Sequence, residues 1–149
     1  MDRKKCKCAV CEGGMTIEQV QLEQQEHVKK YGFVIHYVGG YENEYVNAHT
    51  HGFQETWNHT DFQIVIPIPP ETVNEILWVF ANRVKGGESF KDGEAVFAII
   101  EKWPVYLMET TEANEHKVLR IIFPDKNGNY PGNENCDANF NGQRTVQVI

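Results

Sequence analysis

The stretch PPETVNEILWVFANRVKGG, residues 69–87, decides the fold. Proline suits the first helical position, where no backbone N–H is needed, and Glu71 complements the positive end of the helix dipole. Val73, Ile76, Leu77, Phe80 and Val84 recur at helical spacing and make one apolar stripe. Gly86-Gly87 ends the run. A striped helix of this kind needs an apolar surface to lie on, and its flanks supply one. Residues 33–38, 45–53 and 62–68 before it, and 95–100, 105–109 and 117–123 after it, read as strands separated by short turns. The tail 144–148 reads as one more.

A second helix is expected at 16–30. Thr16 and Gln19 stand at capping-box spacing, and Gly32 is the stop. Ile17, Val20, Val28 and Tyr31 fall near one face of it, but its Gln-rich middle leaves the stripe thin. The fold class that follows is α+β: a mainly antiparallel sheet with two main helices packed on one face, in a single domain. Residues 16–149 form that domain, and residues 1–15 form a Cys-rich N-terminal arm.

The chain has 149 residues, 41% of them apolar, which is enough for a core without disulfides or metal. It has no apolar run of membrane-spanning length and no signal-like start, so a cytoplasmic location is expected. The net charge of −7 speaks against nucleic acid and fits a basic protein partner or a small ligand.

Four cysteines carry the first chemical signal. Cys6, Cys8 and Cys11 form C-x-C-x-x-C, and Cys136 stands alone. Clustered cysteines in a reducing compartment point to metal, and four thiolates would make a closed, structural Zn site. Arg3, Lys4, Lys5 and Lys7 would offset its negative charge.

The second signal is Ala48-His49-Thr50-His51-Gly52-Phe53. On a strand, His49 and His51 share a face and could hold a metal or a polar ligand. His59 and Asp61 follow after a short loop and could complete the set. Asp125, Asn127 and Asn129 begin like a calcium loop, but Tyr130 occupies the position that needs glycine, so a tight turn is expected instead.

His49-Thr50-His51-Gly52-Phe53, the Pro69-Pro70-Glu71 helix start, Gly86-Gly87, Leu119-Arg120, and Pro124-Asp125 with Gly128 and Pro131 occur in a telling order. Their order and spacing resemble a bacterial family known as domain of unknown function 4262. The resemblance spans most of the chain and attaches no activity to it. The leading reading is therefore a non-enzymatic binding protein with a zinc-held arm, by analogy a toxin-neutralising or defence-related partner. The alternative is a metal-dependent, hydrolase-like enzyme built on His49 and His51.

Overall fold

The structure is a computed structural model and describes residues 16–38, 47–112 and 115–145. In chain order its elements are α1 (Ile17–Tyr31), β1 (Val34–Val38), β2 (Asn47–His51), α2 (Phe53–Trp57), β3 (Asp61–Ile64), α3 (Pro70–Lys85), β4 (Ala95–Val96), β5 (Val105–Thr111), β6 (Lys117–Ile122) and α4 (Ala138–Asn141). The six strands form one sheet in the order β1-β2-β3-β6-β5-β4. Four neighbouring pairs are antiparallel, and β3 with β6 is parallel. The class is α+β as expected, on a mixed sheet. A parallel pair needs a long crossover, and α3 with the β4–β5 hairpin provides it.

The register sorts the side chains into two faces. Ala48, Ile64, Phe62, Leu119, Ile121, Leu107 and Val105 lie on one face, and all are buried. Helix α3 seals that face with Val73, Ile76, Leu77, Phe80, Ala81 and Val84, which matches its sequence stripe. The opposite face carries His36, His49, Gln63 and Arg120 in neighbouring register.

Helix α1 forms as its caps direct. The Thr16 side chain accepts from the Gln19 N–H, Gln19 reaches back to the Thr16 N–H, and Gly32 closes the helix at φ 93°. It contacts β1 at the sheet edge, but none of its residues is buried. The thin stripe has that consequence: α1 leans on the sheet and does not seal it.

Several strands are shorter than the apolar pattern suggests. The strand expected at 45–53 ends at His51, because Gly52 turns the chain at φ 114° and Phe53 opens α2 instead. A Cβ at Gly52 would sit 2.8 Å from the Gly32 carbonyl oxygen, so only glycine fits this approach. Residues 65–68 leave the sheet after Ile64, although Val65 and Ile66 are buried. The run 95–100 pairs only at Ala95–Val96. Ala98 at φ 68° bends the chain away and leaves Phe97 exposed. Arg144 and Thr145 lie in a turn, and the rest of the expected last strand lies outside the described residues. So does the Cys-rich arm, residues 1–15. Among the described residues no helix is long and apolar enough to cross a membrane.

Phe80 is fully buried between the rings of Phe62 and Phe90. Phe80→Ala should cost about 3–5 kcal/mol in urea unfolding, and a loss under about 1 kcal/mol would contradict this packing.

Candidate metal centre

Antiparallel pairing of β1 on β2 sets His36 directly opposite His49 and Val34 opposite His51. Alternation puts His49 and His51 on one face of β2, and the register brings His36 to the same face. Ring centroids lie 5.3 Å apart for His36 and His49, 4.4 Å for His36 and His51, and 4.8 Å for His49 and His51. One nitrogen from each ring lies within 4.8 Å of one from each of the others, close enough to hold a metal ion. Tetrahedral zinc at about 2.0–2.1 Å from each nitrogen needs them roughly 3.3 Å apart, so the rings would have to draw closer to hold it.

Two of these rings carry nitrogens without a hydrogen bond. His36 Nε2 and His49 Nδ1 are shielded from solvent and make no hydrogen bond among the described residues. Such atoms forfeit solvation and are uncommon unless something else engages them. His49 Nδ1 does face a carboxylate, Glu112 Oε2, at 3.6 Å.

His116 completes the cluster. It stacks on His51 at 4.5 Å and 11°. Its Nε2 lies 2.9 Å from Asp61 Oδ2 and its Nδ1 2.9 Å from Glu112 Oε1. Asp61 also accepts from the Thr50 hydroxyl at 2.7 Å and from the Phe53 N–H at 3.2 Å. Below the cluster, Arg120 donates to Gln63 Oε1 and to the Gln143 carbonyl, and Gln63 donates to Asn47.

Burial and mutual repulsion keep the three strand histidines neutral. Desolvation, then the neighbouring rings, lower His49 to about 3 and His51 to about 4. His36 is lowered by the same two causes. At His116 desolvation also pulls downward, but Asp61 and Glu112 outweigh it and the net shift is upward. Burial raises Asp61 against the hydrogen bonds from Thr50, His116 and Phe53. The three neutral imidazoles therefore offer lone pairs at physiological pH, while the two carboxylates beside His116 favour its protonated form.

The sequence-predicted residues divide. His49 and His51 converge as expected, and Asp61 reaches them through His116. His59 does not join them. It is buried against Phe62, takes the Phe90 N–H on Nε2 at 2.9 Å, and bonds the Thr60 carbonyl with Nδ1 at 2.7 Å. Both of its nitrogens are engaged, so it serves as a core linker. Cys6, Cys8 and Cys11 lie outside the described residues. Cys136 is half-buried, and its thiol donates to the Asn129 carbonyl at 3.4 Å. Burial, then Asp125 and Asp137, raise its pKa.

A groove of about 760 Å³ opens over the cluster. His36, His51, Asp61 and His116 form its floor, α1 one wall, and Gln54 and Glu55 the other. Two nearby aromatic residues, Tyr37 and Trp57, are engaged elsewhere. Tyr37 bonds the Pro70 carbonyl, and Trp57 packs on Phe53. The molecule is thus an α+β domain with an imidazole cluster exposed to a groove on the polar face of its sheet.

The chain belongs to the family described as a domain of unknown function, DUF4262, whose model matches residues 27–137. That range holds His36, His49, His51, Asp61, Glu112 and His116. No curated protein and no solved structure matches the chain.

Neutral buried histidines make the fold acid-sensitive. The unfolded chain takes protons below about pH 6.5, while His49 resists them until about pH 3, so the contribution of His49 to stability is complete above 6.5 and falls as the pH drops. His49 alone should remove about 2 kcal/mol by pH 5, at 1.36 kcal/mol per pH unit below 6.5. Urea midpoints at pH 7 and pH 5 measure this, and His49→Gln should reduce the difference.

Proposed function

We propose that this domain is a metalloprotein whose ion is held by His36, His49 and His51 and acts as a Lewis acid on an oxygen ligand entering from the groove. One observation carries the reading: three neutral imidazoles converge within coordination reach, and His36 keeps a buried ring nitrogen with no hydrogen-bond partner among the described residues. Three protein ligands leave a fourth position open, the pattern of catalytic and not structural sites. The groove that reaches His36 and His51 gives that position an entrance.

The surrounding residues suit such an ion. Metal-bound histidines usually donate their second N–H to a carboxylate, which fixes the ring and raises its basicity. Glu112 stands in that place for His49. His116, on the groove floor with Asp61, is placed to hold or pass a proton beside the ion. A metal-dependent enzyme of the hydrolytic type uses such parts: an ion that polarises a carbonyl or a bound water, and an adjacent imidazole for the proton.

The test separates this site from the cysteines. Protein with Cys6, Cys8, Cys11 and Cys136 all replaced by serine should still take up about one zinc per chain by elemental analysis. His49→Ala in that background should lose it. Zinc at a hundredfold excess over its Kd should add about 2.7 kcal/mol, a rise of roughly 5–10 °C in Tm for a domain of this size. Zinc uptake that follows the cysteines and ignores His49 would refute the reading. Glu112→Gln should weaken zinc about 10- to 100-fold without abolishing it, measured by competition with a chelator.

A further inference from the structure

Gln21, Gln24, Gln25 and Val28 occupy positions i, i+3, i+4 and i+7 of α1, a single helical face. A helix laid beside a sheet normally carries aliphatic residues there. In this chain the face is mostly primary amides, and all four residues line the groove opposite His36, His51, Asp61 and His116. The helix is well formed, with a capping box at Thr16 and a left-handed glycine at its end, yet none of its residues is fully buried. Leucines at these positions would draw α1 down onto the sheet. The glutamines instead give the groove a polar wall.

The chemistry of the lining narrows what fills that space. No Lys or Arg lines the groove among the described residues, and Glu55 stands on its wall. A phosphate or other polyanion finds no countercharge there beyond the floor. A primary amide offers N–H donors and a carbonyl acceptor together, and another amide group satisfies both at once. The volume is within the usual range for a small-molecule site.

We propose that the groove binds a neutral, amide-bearing molecule of the size of a blocked di- or tripeptide, seated between the glutamine face of α1 and the histidine cluster. Its carbonyl oxygen takes the open position on the ion, so the inference rests on the metal reading for that contact alone. The amide pairing rests on Gln21, Gln24 and Gln25. Gln24 is the half-buried member of the row and its main contact.

The experiment uses full-length protein, zinc-loaded and metal-free, titrated with N-acetyl-dialanine amide, a neutral disaccharide and inorganic phosphate. Side-chain amide NMR signals of the glutamines report binding, and zinc affinity is measured separately. The peptide should shift the signals of Gln24 and Gln25 in both forms, and bind more tightly with zinc present. Gln24→Leu should weaken the peptide about fivefold to tenfold, one neutral hydrogen bond's worth, with zinc affinity unchanged. In the metal-free protein, a disaccharide or phosphate that binds as tightly as the peptide overturns the assignment. So does a peptide that leaves the glutamine signals unmoved in both forms, or one whose affinity is indifferent to Gln24→Leu. If the histidines take up no zinc while the metal-free protein still binds peptide through Gln24, the metal reading alone falls.

Discussion

The pairing of β1 with β2 is the constraint on which the site depends. Side chains alternate along a strand, so a slip of one residue would turn His36 away from His49. The register is held from the other face, where Phe33, Ala48 and Phe62 are buried in the core under α3 and α2. Gly52 then fixes the end of β2. Its backbone lies against the Gly32 carbonyl, which leaves His51 as the last residue in the strand and starts α2 at once. The apolar face therefore positions the polar one, although the two share no side chain.

That polar face is costly to keep. Arg120, Gln63, Asp61 and His49 are buried, and each charged or polar group removed from water needs a partner. Most have one: Arg120 with Gln63 and Gln143, Asp61 with Thr50, Phe53 and His116. The shortfall falls at His36 Nε2, His49 Nδ1 and Asn47 Nδ2, each of order 1–3 kcal/mol when left unmet. Aliphatic residues at 36 and 49 would remove that cost and deepen the core. A shortfall concentrated in one cluster beside an open groove fits selection for what binds there better than selection for stability.

Much of the fold was legible in the sequence because its signals are local. The α3 stripe, the Thr16–Gln19 box and the stop at Gly32 each act within a few residues, and each formed as read. The misread strands failed where backbone conformation overrides apolar pattern, as at Gly52 and at Ala98 with its positive φ. Of the site, H-x-H spacing exposed His49 and His51, but His36 could be added only by knowing which strand pairs with β2 and in what register. His116 lies 65 residues beyond His51 in sequence and stacks on it only because β6 runs parallel to β3. Sequence proximity suggested His59 instead, and the short α2 carries it away to Phe62 and Phe90.

The donor set also bears on which ion suits the cluster. Calcium and magnesium demand several oxygen ligands, and the nearest carboxylates here are already engaged by His116 and Thr50. Three neutral imidazoles suit zinc, copper, nickel or iron. They bring no charge, so a divalent ion keeps its full positive field toward the fourth position. Glu112 faces the His49 ring and Asp61 the His116 ring, and both carboxylates would temper that field from the side. An ion so held is a stronger Lewis acid than one neutralised by thiolates. This is the physical difference between a centre that acts on a ligand and a four-cysteine clasp that only fastens two segments together.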